Sequence, residues 1–82
     1  MKANNLSNNT AYRITKGNDS FEAGDIIWMD RERKMLNMLC EYGIVWIEAF
    51  DISDEMFCGV ELEEAKDCKI LSGCELETAI IC

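Results

Sequence analysis

The residues that most often do chemistry in proteins are unevenly represented in this 82-residue chain. It contains five cysteines and sixteen acidic residues but no histidine, so the commonest general acid or base near neutral pH is missing. Adjacent carboxylates, such as Asp54 and Glu55, are more typical of a solvated surface than of a tuned catalytic pair. No phosphate-binding loop, dinucleotide-binding glycine motif, calcium loop or zinc-protease motif occurs. We therefore expect no enzymatic activity, no cofactor and no small-molecule ligand.

The cysteines give two further possibilities for chemistry, a metal site and a reactive thiol. They are Cys40, Cys58, Cys68, Cys74 and Cys82. A zinc site would have to use cysteines alone at irregular spacing, and none forms a CxxC motif. A nucleophile would need an activating base or a positive helix end, and Cys58 has the only suggestive setting, in a short turn. Because residues 1–10 are polar and Asn-rich rather than a signal segment, we interpret the cysteines as reduced thiols in the cytoplasm.

The acidic residues are concentrated in the second half of the chain. Residues 1–40 carry six Lys or Arg and five Asp or Glu, whereas residues 41–82 carry two and eleven, within a net charge of −8. A strongly negative field repels phosphate backbones and anionic membranes, so no direct nucleic-acid or membrane binding is expected, and basic protein partners are favoured. Nor is any apolar run long enough to span a bilayer. The candidate acidic patch consists of Glu61, Glu63, Glu64 and Asp67.

The elements that must position these residues are mainly short β-strands. Alternating or continuous apolar runs bounded by turn residues predict strands over 10–15, 26–29, 35–39, 43–50, 60–64 and 65–72. A short helical turn is predicted near 53–58, with Ser53 as its N-cap and Gly59 at its end. The alternative is an α+β fold with a helix over 31–42, since apolar residues there lie close to helical spacing and Gly43 could end a helix.

The order of these elements resembles that of bacterial SH3-like small barrels. The resemblance is carried by the Tyr12–Thr15 strand, the Phe21-x-x-Gly24-Asp25-x-Ile27 turn and strand, a meander through Trp46, a short helical turn and a last strand. It implies an all-β (mainly) domain, a partly open barrel of about five strands over 10–72. Residues 1–9 would be a flexible arm, and 73–82 an apolar tail or edge strand. Because the polyproline-reading aromatic residues of eukaryotic SH3 domains are not in place, no binding residue is implied.

Two of the predicted strands, 26–29 and 44–47, are apolar at both odd and even positions. A sheet that is exposed on one side should alternate instead, so both of its faces must be covered. The candidates within the chain are Met56, Phe57, Val60, Leu62, Leu76, Ile80 and Ile81. If these do not suffice, a partner protein or a second copy covers the remainder.

The function expected from this pattern is a small acidic interaction module. It would bind a protein partner, or form a homo-oligomer, through an apolar sheet face. The candidate interaction residues are Met56, Phe57, Leu76, Ile80 and Ile81. The alternative is an acidic mimic of nucleic acid, an inhibitor of the kind encoded by phages or mobile elements, which would display the acidic patch along one face.

Overall fold

The computed structural model describes residues 5–71 and 79–82, which form a mainly β structure, as predicted. Its strands are β1 (Tyr12–Lys16), β2 (Ile26–Asp30), β3 (Met35–Cys40), β4 (Gly43–Glu48), β5 (Glu61–Glu64), β6 (Lys69–Leu71) and β7 (Ala79–Ile81). Two 3-10 helices, Ala49–Asp51 and Asp54–Phe57, connect β4 to β5. The second begins after Ser53, as predicted, although the Ser53 side chain makes no capping hydrogen bond.

The alternative prediction of a helix over 31–42 is wrong, because this segment is a turn followed by strand β3. Its apolar residues pack on two opposite faces of a sheet. Leu36 and Met38 face one hydrophobic core, whereas Leu39 packs against the other. A strand covered on both faces needs consecutive apolar residues, which can also match a helical spacing.

Strands β1 to β5 form one antiparallel sheet in the order β4-β3-β2-β1-β5. The first four strands follow one another as a meander, and β5 returns to pair with the free side of β1. Strands β6 and β7 form a separate antiparallel pair. The main sheet is not closed, so β4 and β5 are its two edges.

A two-residue turn of Glu41 and Tyr42 places β4 beside β3. The register continues directly across it, from the pair Cys40 and Gly43 to the pair Met35 and Glu48. Gly43 has a φ of 104°, a conformation that only glycine adopts readily. This turn explains how the sequence 41–43 folds β4 back along β3 as a regular edge strand.

The main sheet has two faces, which we call the major and the minor face. On the major face, Ile14, Ile27 and Leu36 pack with residues from outside the sheet, in a core of Leu6, Ile14, Phe21, Ile27, Met29, Leu36, Phe57 and Val60. On the minor face, Ile26 and Trp28 pack with Ala11 and Ala65. Leu39, Cys68, Ile70 and Ile80 lie against this smaller core.

The loop before β2 is fastened to the major core by one asparagine. The Asn18 side-chain oxygen accepts hydrogen bonds from the backbone N–H groups of Ser20 and Phe21, and its amide nitrogen donates to the carbonyl oxygens of Met56 and Cys58. The Phe21 ring consequently stacks on Phe57, with 4.9 Å between ring centroids. The loop and the second 3-10 helix thus pack together over the major face and cover part of it.

The N-terminal segment contributes to the fold from residue 5 onward, although residues 1–9 were predicted to be a flexible arm. Leu6 is buried in the major core, and Arg31 donates a hydrogen bond to its carbonyl oxygen at 2.7 Å. Asn8 pairs with Met29 through a parallel bridge. The burial of Leu6 and these backbone hydrogen bonds hold the polar segment against the sheet.

The interpretation of all five cysteines as thiols is also corrected. Cys68 and Cys82 form a disulfide that joins the end of the chain to the residue before β6. Cys40 and Cys58 are free, and Cys74 lies outside the described residues. The bond links the two strands of the β6–β7 pair next to the paired residues Lys69 and Ile81. No helix among the described residues is long and apolar enough to cross a membrane.

Candidate interaction edge

The exposed apolar surface of the described chain is concentrated around β4. Five of its seven strongly exposed large apolar residues fall within residues 42–50, which we call the β4 segment. They are Tyr42, Ile44, Val45, Trp46 and Phe50, with exposed fractions of 87%, 38%, 40%, 62% and 81%. Ile44 and Trp46 share the minor face, whereas Val45 lies on the major face. An isolated exposed apolar residue needs no explanation, but a concentration of them on one strand favours an interface there.

The backbone of β4 offers free hydrogen-bonding groups along the same edge. The Ala49 N–H donates to the Lys34 carbonyl oxygen at 2.8 Å, which continues the β3–β4 register. In antiparallel pairs the residues alternate between pointing their backbone groups toward and away from the neighbouring strand. The N–H and C=O groups of Ile44, Trp46 and Glu48 therefore point outward, where no described strand pairs with them.

The opposite edge of the sheet is built differently. Strand β5 has three glutamates in its four residues, Glu61, Glu63 and Glu64, whereas β4 has one charged residue in six. Charged side chains on an edge strand are a common protection against unwanted pairing. The charged side chains that hinder the addition of another strand are thus present along the β5 edge and largely missing along the β4 edge.

An acidic groove opens at the turn that leads into β4. It has a volume of about 410 Å³, and its lining includes Asp19, Glu22, Asp25, Glu41 and Tyr42 but no basic side chain. Burial raises the pKa of the Asp25 carboxyl, and the nearby carboxylates of Glu22 and Glu41 raise it further. The groove therefore has a negative potential that a cation would relieve.

Buried polar nitrogens lie beside the exposed tryptophan of β4. Trp28, Asn37 and Trp46 are directly paired across β2, β3 and β4 on the minor face. Trp28 and Asn37 are buried, and neither the Trp28 Nε1 nor the Asn37 Nδ2 atom has a hydrogen-bond partner among the described residues. Unpaired buried donors are costly, so these two nitrogens reduce the stability that the minor face contributes.

The predicted interaction residues are spread over both cores rather than gathered at one surface. Phe57 is fully buried in the major core, and Met56 packs against the same core, so neither forms a free apolar patch. Ile80 packs against the minor core, whereas Ile81 is 58% exposed. Leu76 lies outside the described residues. Among the described residues, the β4 segment therefore holds most of the exposed large apolar side chains.

The predicted acidic patch does not form one row of free carboxylates. Glu63 shares a face of the sheet with Arg13, whereas Glu64 lies on the opposite face beside Tyr12. The Arg13 guanidinium lies 3.7 Å from a Glu63 carboxylate oxygen and 3.0 Å from an Asp67 carboxylate oxygen. A hydrogen bond from Arg13 lowers the pKa of Asp67. This arrangement gives no support to a phosphate-like display along one face.

Catalytic chemistry has few participants in the described part of the chain. No group of three or more potential metal ligands is arranged there to hold an ion. The Cys40 thiol lines the acidic groove, but its Sγ donates to the Gly43 carbonyl oxygen at 3.4 Å. The charged residues that line this groove with Cys40 are carboxylates, and neither a base nor a positive helix end that would activate the thiol is among the lining residues.

The residues that sequence reasoning missed are Tyr42, Ile44, Trp46 and Phe50. The doubly apolar run 44–47 is predicted to need cover, but its residues are not among the candidate interaction residues predicted from the sequence. The available signal was the glutamate-rich composition of 61–64, which is typical of a protected edge and leaves β4 as the unprotected one.

Comparison of the chain with protein-family models, with curated proteins and with solved structures finds no match in any of the three.

Proposed function

We propose that this protein is a non-enzymatic interaction module that binds a protein partner along the open edge of β4. The observation that carries the proposal is the coincidence, on one strand, of exposed apolar side chains with outward-pointing backbone groups. An extended segment of a partner can add to such an edge as a further strand. Its backbone hydrogen bonds then supply affinity, and its alternate side chains supply specificity.

The composition of the edge supports this function. Trp46 lies in the middle of β4 on the same face as Ile44, and aromatic residues are enriched among those that dominate binding energy. Tyr42 and Phe50 extend the apolar surface beyond both ends of the strand. Six residues of strand form a small interface, so we expect micromolar rather than nanomolar binding.

The finer fold assignment, an SH3-like small barrel, is part of the same proposal. The strand order β4-β3-β2-β1-β5, with a 3-10 helix before β5, supports it. Folds of this kind carry many unrelated functions, so the assignment adds nothing to the choice of partner. The proposed function depends on the edge alone.

Selection from a random peptide display library against the full chain tests the proposal. We expect ligands whose binding weakens by about 30-fold or more in Trp46→Ala, because buried tryptophans at interfaces are frequent hot spots. The matched control is Ile81→Ala, which removes an exposed apolar side chain from β7 and should leave binding unchanged. Failure to recover ligands, or ligands that are insensitive to Trp46→Ala, would contradict the proposal.

A further inference from the structure

We propose that the occupant of the β4 edge is a basic extended segment of a different protein, which pairs with β4 and places a lysine or arginine in the acidic groove. This inference rests on the proposed function and names the chemistry of the partner. The groove and the edge meet at one turn of the chain, since Glu41 and Tyr42 line the groove and β4 begins at the next residue, Gly43. An added strand that extends past Gly43 would therefore run toward the turn that borders the groove.

Charge complementarity selects a basic partner. The groove presents four carboxylates, Asp19, Glu22, Asp25 and Glu41, and none is in an ion pair within the described residues. At the other end of the strand, Glu48 is exposed and its outward backbone groups would also be used in pairing. Lys34 lies beside that end, where its carbonyl oxygen accepts from the Ala49 N–H, so the net negative end of the edge is the groove end. The complementary segment is apolar in the middle and positively charged at the end that approaches the groove.

The same charges argue against a second copy of this chain as the occupant. Two copies of β4 that pair in antiparallel fashion would bring Glu48 and Asp51 of one copy to the Glu41 end of the other. Like charges directly opposite each other destabilise strand pairing, and the whole chain carries a net charge of −8. The edge is therefore geometrically open to self-pairing but electrostatically unsuited to it.

A designed peptide provides a direct probe. The peptide acetyl-Arg-Lys-Val-Thr-Val-Thr-Val-Lys-Arg-amide has basic ends and an apolar-alternating centre, so it suits either strand direction. Its counterpart has glutamate in place of each basic residue. Binding of each labelled peptide to the full chain is measured by fluorescence anisotropy at low and at physiological salt. We expect the basic peptide alone to bind, and its affinity to fall as salt rises.

Matched variants locate the electrostatic contribution. Glu22→Gln/Glu41→Gln removes two exposed groove carboxylates, and we expect about threefold to tenfold weaker binding, the range of two exposed ion pairs. The control is Glu61→Gln/Glu64→Gln, which removes the same number of charges at the β5 edge and should leave the affinity nearly unchanged. Trp46→Ala should weaken binding of the basic peptide by about 30-fold.

Several outcomes would overturn the inference. Equal weakening by the groove and β5 variants would mean that the net charge, rather than the groove, attracts the peptide. Binding that is insensitive to Trp46→Ala would exclude strand addition at β4. A dimer in sedimentation equilibrium that Trp46→Ala dissociates would identify a second copy as the occupant. Display ligands that use the β4 edge but are neutral or acidic would leave the proposed function intact and contradict this inference alone.

Discussion

The two tryptophans should differ strongly in how much stability their removal costs, and this contrast separates the fold from the interaction edge. Trp28 is completely buried in the minor core, whereas Trp46 is 62% exposed. Loss of a buried tryptophan side chain costs about 3 to 5 kcal/mol. A domain of 82 residues has an unfolding free energy of roughly 4 to 12 kcal/mol. Trp28→Ala should therefore remove a large part of the unfolding free energy. If the unfolding free energy of the wild-type protein is near the low end of this range, the variant would be largely unfolded.

Trp46→Ala should be far less damaging to stability. With 62% of its surface exposed, its packing loss should be no more than about 1 to 2 kcal/mol. Urea unfolding followed by far-ultraviolet circular dichroism measures both variants without relying on tryptophan fluorescence. If Trp46→Ala destabilised the protein as much as Trp28→Ala, Trp46 would be a core residue and the reasoning would be refuted.

Three further perturbations test other parts of the structure. The double substitution Cys68→Ser/Cys82→Ser should lower the unfolding free energy by about 3 kcal/mol, on a chain-entropy estimate for a loop of this length. If all five cysteines of the denatured, unreduced wild-type protein reacted with a thiol reagent, the disulfide would be contradicted. Asp25→Asn should stabilise the protein at neutral pH, because the raised folded-state pKa means that the ionised carboxylate opposes folding. That gain should shrink as pH falls through the raised folded-state pKa and should be absent below the ordinary value of 3.8, and a pH-independent difference between the urea curves would contradict it. Asn37→Val should raise stability by about 1 kcal/mol, since it removes a buried unpaired amide nitrogen; a loss of stability would show that this amide is well satisfied.

The mainly β fold was predictable because local signals agreed with the final structure. The turn residues near Gly24 and Gly43 and the apolar run 26–29 identify strands and their connections without any tertiary information. Other features depend on distant contacts. The burial of Leu6 and the bond between Cys68 and Cys82 join segments far apart in the chain, and neither has a local sequence pattern.

The candidate site was predictable only in part, because exposure depends on strand order. The run 44–47 looks as buried as 26–29 in sequence, and both contain a tryptophan among aliphatic residues. The sheet places β2 in its interior and β4 at its edge, so Trp28 is covered while Trp46 is not. Conversely, Phe57 was assigned to an interaction surface but is buried, since its ring stacks on Phe21. The pattern of apolar residues alone predicts neither the exposure of Trp46 nor the burial of Phe57.

Backbone amide hydrogen exchange along β4, measured by NMR, tests the open edge most directly. The N–H groups of Val45 and Ile47 face β3 and should be protected in the free protein, whereas those of Ile44, Trp46 and Glu48 should exchange rapidly. Saturating basic peptide should slow the three outward amides and leave the inward ones unchanged. Protection of the outward amides in the free monomer, or their continued rapid exchange when the peptide is bound, would contradict strand addition at β4.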